Sequence, residues 1–199
     1  SCCIPNYYGF KANPIATAKK LAKSCDNLTY TQVCRGLKTI QAAKKSLSAA
    51  AAIKEIKTIL AVTGDGASGS DISVFQLIES IHKKRFKVAA ALVFTRTNEA
   101  LRVERKAAAG ATIFYTQPVF PGNSQRLAAA LQQLPPNIVC SVRIGVLIPF
   151  SAAACKKIAA TKPDFINDTS FITGLAAAER KGPEEAHAAT IRLAKAALR

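Results

Sequence analysis

Short apolar runs alternate with amphipathic stretches along most of this chain. Residues 57–63 (Lys-Thr-Ile-Leu-Ala-Val-Thr) run straight into Gly64-Asp65, and residues 111–115 (Ala-Thr-Ile-Phe-Tyr) run straight into Thr116-Gln117. Further apolar runs at 2–4, 28–33, 87–94 and 138–148 bring the predicted strands to six, with Phe165-Ile166 as a short seventh. Helices are predicted at 14–24, 37–47, 71–83, 98–109, 124–134 and 151–160, and a last one opens at Pro183. Local chemistry supports these assignments. Asn13 stands as an N-cap before Pro14, and Val74, Phe75, Ile78 and Ile81 share one face of their helix. Gly110 and Pro135-Pro136 supply stops, and Glu184 and Glu185 suit the positive first turn of the final helix.

Strands that alternate with helices pair in parallel through right-handed crossovers. Strands apolar on both faces suit a sheet covered on both sides. The reading is α/β, a (β/α)8 TIM-type barrel forming one domain over 1–199, with six or seven strands recognisable and the set incomplete. Eight β/α units ordinarily take about 250 residues. Between Val33 and Ile59 there is room for one or two helices but hardly for helix, strand and helix. In such folds ligands bind at the carboxyl ends of the strands, which draws attention to the polar groups at Gly64-Asp65 and Thr116-Gln117.

Composition narrows the partners. With 199 residues, 49% of them hydrophobic, the chain can bury one sizeable core. No apolar run is long and clean enough to span a bilayer, and no secretory signal is visible, so a cytoplasmic location is expected. The six cysteines show no CxxC spacing, and with only His82 and His187 beside them no metal site can be assembled. Reduced, mostly buried thiols are the expectation. The net charge of +16 favours polyanionic ligands at face value. However, the basic residues are scattered over helix faces, without the interleaved aromatics of a nucleic-acid platform, so nucleic acid is disfavoured. Alanine runs at 49–52, 89–91, 107–109, 128–130, 152–154 and 176–178 stand at several places where a solvent-facing helix normally carries Glu, Asp or Lys.

Three phrases could carry chemistry. Gly64-Asp65-Gly66-Ala67-Ser68-Gly69 fits G-x-G-x-x-G between a strand and a helix, as a dinucleotide loop would. Against this, Asp65 would set a carboxylate near a pyrophosphate, and Phe94-Thr95-Arg96 follows the next strand where a ribose-binding acid is expected. A flexible Gly/Ser turn explains the glycines better than a phosphate cradle does, and a turn or capping role explains Asp65 at least as well as a ligand does. Gln117 offers a donor and an acceptor, suited to a pterin-like or pyrimidine-like edge. Arg105 and Lys106 on the preceding helix suit phosphate, or are simply solvated charges.

Taken in order, four phrases resemble the methylenetetrahydrofolate reductase family of flavin-dependent β/α barrels. They are Ala61-Val62-Thr63-Gly64-Asp65, Arg105-Lys106-Ala107-Ala108-Ala109-Gly110-Ala111, Thr116-Gln117-Pro118-Val119-Phe120 and Gly145-Val146-Leu147-Ile148-Pro149. Weaker matches are residues 28–31 as the second strand and 171–180 as the loop before the last helix. The resemblance implies FAD, reduced by NADH, NADPH or another donor, which passes a hydride to 5,10-methylenetetrahydrofolate to give 5-methyltetrahydrofolate. It implies Asp65 as the acid near the flavin and pterin rings. It implies Thr31, Thr63, Gly64, Asp65, Ala89, Arg105 and Lys106 at cofactor positions, and Gln117 as the folate-contacting amide. The expected partners are a folate substrate and a reduced nicotinamide or redox partner protein, in a homo-oligomer or as a complex subunit.

The chain also departs from the family. Aligned on Pro5, Cys2 stands where the family's general-acid Glu would be, and a thiol is a poor substitute for a tuned carboxylic acid. Thr63 stands where many members have Arg, Ala91 where they have Tyr, and Thr97 where they have His. Two other readings stay open: an NADP-binding Rossmann-like domain using Gly64, Gly66 and Gly69, and a non-catalytic barrel subunit of a larger complex.

Overall fold

A computed structural model describes the backbone of residues 2–4 and residues 13–34, 37, 39–64, 72–82, 84–120, 123–146, 151–161 and 169–196. Its elements are β1 (Cys2–Ile4), α1 (Pro14–Leu21), β2 (Leu28–Val33), α2 (Ile40–Ala51), β3 (Ile56–Val62), α3 (Val74–His82) and β4 (Lys87–Leu92). They continue with α4 (Glu99–Ala108), β5 (Ile113–Thr116), α5 (Ser124–Gln132), β6 (Ser141–Arg143), α6 (Ala152–Thr161), α7 (Ser170–Lys181) and α8 (Pro183–Ala196). The strands form one sheet in the order β1-β2-β3-β4-β5-β6, and the pairs β1–β2, β2–β3 and β3–β4 are parallel. Strand order equals chain order, as in a β/α barrel; a doubly wound dinucleotide fold reverses its order at a switch point, and this sheet has no reversal among its described strands. The architecture is therefore α/β of the incomplete β/α-barrel type.

By internal contacts the chain forms two compact units. One holds Ser1–Ala91, Leu101–Tyr115 and Pro136–Val142; the other holds Leu92–Ala100, Thr116–Pro135 and Arg143–Arg199.

In the first unit β2 is buried at all six positions, so both of its faces are covered. One face meets α2, where the Ser46 hydroxyl donates to Gln32 Oε1 at 2.6 Å and also bonds the Tyr30 hydroxyl. Burial raises the Tyr30 pKa, and the bond to Ser46 opposes that shift. On the other face the Thr29 and Tyr115 hydroxyls lie 3.3 Å apart, although β3 and β4 lie between their strands. Three strand steps across a flat sheet span about 14 Å, which these two side chains cannot bridge. The sheet therefore curls strongly toward that face, as barrel closure requires.

Helix boundaries follow their caps. Helix α1 begins where expected: Asn13 Oδ1 accepts from the amides of Ile15 and Ala16, and Pro14 takes the first position. Helix α2 starts later than the apolar pattern suggests, because Thr39 caps it by accepting from the Ala42 amide. It also runs on through the alanines after Leu47, which have the best helix propensity. Helix α3 starts at Val74 through a reciprocal capping box. The Ser73 amide donates to Gln76 Oε1, and the Gln76 amide donates to Ser73 Oγ. Asp71, the predicted start, lies outside the described residues.

In the second unit α6, α7 and α8 close around Phe120, Cys155, Ile172 and Leu175. The rings of Phe120 and Phe171 stack at 6.3 Å. Glu179 on α7 accepts from the Ala152 amide at 2.7 Å and so caps the first turn of α6. Burial, and secondarily the Glu179 charge, raises the pKa of the Cys155 thiol.

Two sequence expectations are corrected. Residues 171–180, read as a loop, lie in helix α7, whose Ile172, Leu175 and Ala178 are buried at helical spacing. Gly174 breaks the propensity there, but nothing packs where its side chain would be, so it marks no turn. Within residues 138–146 the predicted strand is reduced to Ser141–Arg143, with an isolated bridge from Val146 to Val119; its predicted end at 147–148 lies outside the described residues. Val139 is 94% exposed, so its apolar character is no sign of a buried strand. Phe165-Ile166 lies outside the described residues.

Candidate functional site

The strand register brings two of the predicted cofactor residues together. Thr31 on β2 pairs with Leu60 on β3, which pairs with Ala89 on β4. Side chains at equal register point to the same face, so Thr31, Leu60 and Ala89 form one layer, on the face that carries Thr29. Thr31 and Ala89 are both buried.

At the end of β3, Thr63 is exposed and Gly64 adopts φ +89°. That left-handed conformation suits glycine and lets backbone approach a ligand closely. Asp65, the predicted catalytic acid, lies outside the described residues, as do Gly66 and Gly69 of the glycine loop. Cys2 opens β1, where its backbone pairs with Leu28 of β2.

Lys106 and Arg105 separate, although they are neighbours in sequence. Lys106 is buried, and its ammonium donates to the Ala91 carbonyl at 2.6 Å, next to the carboxyl end of β4. Arg105 is exposed and lies over the Phe75 ring at 4.5 Å. There it lines a groove of about 330 Å³ with Glu79, Ala108 and Ala109 on the outer helices. The helix turns by about 100° per residue, so adjacent positions cannot share a face. Arg105 is thus engaged by an aromatic face rather than joined to the Thr31–Ala89 layer.

Gln117 belongs to the second unit. It follows β5 directly, is 7% exposed, and its amide N–H donates to the Leu92 carbonyl at 3.0 Å. Its side-chain Oε1 accepts from the Thr95 hydroxyl at 3.2 Å. The Nε2 group is buried and finds no partner among the described residues. An unmet buried donor costs free energy, so it asks for an acceptor. Beside it, Thr116 Oγ1 accepts from the Gly145 amide at 2.9 Å, and the Gly145 carbonyl accepts from the Val119 amide at 2.7 Å. A Cβ at Gly145 would come within 3.2 Å of the Thr116 carbonyl oxygen, so this crossing is close-packed.

The segment after β4 contributes Thr95, Asn98 and Glu99, to which the sequence assigns no site role. Thr95, Thr97, Asn98 and Glu99 line a cavity of about 480 Å³ together with Arg96 and Arg126. Asn98 holds φ 59°, and Glu99 is buried with Oε1 accepting from the Val93 amide at 3.1 Å. The available signal was a Thr-rich polar cluster directly after an apolar strand, which is also an ordinary loop composition. Among the described residues no cluster of His, Cys, Asp and Glu could hold a metal ion, and no helix is long and apolar enough to cross a membrane.

No family model matches the sequence. No curated protein matches it either. Among solved structures, the chain is similar to two single-residue mutants of the tryptophan synthase alpha-subunit from the hyperthermophile Pyrococcus furiosus. One is 12% identical with a TM-score of 0.47, covering 93% of this chain and 72% of that one. The other is 13% identical with a TM-score of 0.48, covering 92% and 72%. A likeness of that size assigns neither ligand nor reaction.

Proposed function

We propose that this chain binds a flavin and uses it to reduce 5,10-methylenetetrahydrofolate to 5-methyltetrahydrofolate. The observation that carries the reading is the buried Gln117 amide after β5, with one end tied and the other open, at the position the resemblance assigns to folate. The conformation of Gly64 and the exposure of Thr63 support an accessible strand end for a ring system. Within the first unit, Lys106 would bring positive charge to an FAD diphosphate, and Thr31, Leu60 and Ala89 would supply an uncharged wall. When bound, the flavin supplies the hydride chemistry. The protein's part is to orient the folate through Gln117. Proton delivery is the weak point of the chain, because a thiol at Cys2 replaces the family's carboxylic acid.

The sequential order of the strands disfavours the Rossmann alternative. The test is spectroscopic. Purified protein should carry flavin absorbance that is bleached by NADH, NADPH or dithionite and restored by methylenetetrahydrofolate. Protein that stays colourless and takes up no added FAD would overturn the reading. Flavin that is bleached but not reoxidised by the folate would support a binding subunit without turnover.

A further inference from the structure

We propose that Thr95 is a positioning residue for Gln117, holding one end of its amide so that the other end meets a hydrogen-bonding edge of a flat heterocycle. The inference deepens the folate reading and rests on it for the identity of that heterocycle.

The backbone of Gln117 is fixed by its bond to Leu92, so only the side-chain torsions can move the amide. Thr95 Oγ1 at 3.2 Å from Oε1 is the contact that restrains them. Thr95 is itself held by its loop. Glu99 Oε1 takes the Val93 amide, the Arg96 amide donates to the Val93 carbonyl at 2.9 Å, and Asn98 turns the chain through a left-handed conformation. A hydroxyl both donates and accepts, so the contact survives whichever way the amide faces. Thr95 therefore fixes the plane of the amide rather than its polarity. In the orientation present, the open end is the Nε2 donor, which calls for a ring carbonyl or an unprotonated ring nitrogen.

The test uses the full chain with Thr95→Val, which keeps the shape and removes the hydroxyl, and Thr95→Ser, which keeps the hydroxyl. The first readout is the 15N side-chain amide pair of Gln117 without folate, assigned by its loss in Gln117→Met. Thr95→Val should shift and broaden the pair, and Thr95→Ser should leave it near its native position. The second readout is steady-state kinetics with methylenetetrahydrofolate. Thr95→Val should raise KM about ten-fold, with a smaller change in kcat, and Thr95→Ser should recover most of the loss. Unchanged amide signals in Thr95→Val would overturn the positioning role, and so would equal losses in both variants. Native protein that binds no flavin or folate would overturn the functional reading, while the amide signals would still decide the role of Thr95.

Discussion

Arg85 offers the sharpest test of how the first unit is held together. Its guanidinium donates to three backbone carbonyls: Ile56 at 3.2 Å from Nη1, and Ala51 and Ile53 at 3.0 Å from Nη2. These carbonyls belong to the last residue of α2, the turn after it and the first residue of β3. The group also lies over the Phe86 ring at 4.9 Å. A hydrogen bond to a charged donor contributes about 1.5–3 kcal/mol when shielded from water. Arg85 is exposed, so solvent can replace much of what each carbonyl loses, and the cation–π contact adds about 0.5 kcal/mol. Arg85→Ala should therefore cost about 2 kcal/mol in all. Arg85→Lys should recover about half, because an ammonium is a point donor and cannot span three carbonyls as a planar fork does. The assay is equilibrium urea unfolding, with m-values compared to confirm that both variants unfold the same core. The loss should change little with salt, since the acceptors are dipoles rather than charges. Arg85→Ala within about 0.5 kcal/mol of native would refute the reasoning. Full recovery by Lys would refute the fork geometry.

Gln117→Met should change the stability of the ligand-free protein by less than about 1 kcal/mol, since removing the unmet buried donor offsets the lost bond from Thr95, while folate affinity falls; a larger loss in a thermal melt would contradict this. Gly110→Ala should destabilise by at least about 1 kcal/mol, because φ is +114° and the new Cβ would lie 2.6 Å from His82 Cγ. Adding His82→Ala should restore only part of the loss, and full restoration would show that the backbone conformation costs nothing. The Cys34 thiol is pushed up to about 11 by burial, so the folded chain holds this proton to higher pH than the unfolded chain. Its contribution to stability is complete below pH about 8.5 and is lost as pH rises toward 11, at most about 3 kcal/mol. Urea unfolding of native protein and Cys34→Ala at pH 8 and pH 10.5 should show a smaller alkaline loss in the variant; equal losses would count against the buried thiol.

Much of the architecture was legible because it rests on local signals. Asn13-Pro14 fixed the start of α1, and strand–helix alternation correctly implied parallel pairing. Helix α7 was missed because Gly174 weakens the pattern, although Ile172, Leu175 and Ala178 carry it. Strand β6 was overextended because Val139 looks buried by type and is not. The candidate site was legible only in part. Gln117 and Lys106 stand out as polar residues beside apolar strands, and both are buried. Which neighbour each one meets depends on contacts between distant segments. Thr95 reaches Gln117 across 22 positions, and Arg105 finds Phe75 on another helix. No periodicity in the chain encodes those meetings.

The hydroxyl bridge between Thr29 and Tyr115 also bears on the order of folding. Neighbouring strands pair over modest loops, as when Leu28 meets Ile56, whereas the bridge joins residues 86 positions apart. Closing the longer loop costs more chain entropy, so strand pairing can run ahead from unit to unit while curvature waits for β5. Fragments ending before Ile113 would then hold paired strands but lack the contact that bends them. The same late step leaves an open sheet edge during synthesis, which makes the interval before β5 emerges the period of greatest exposure to aggregation.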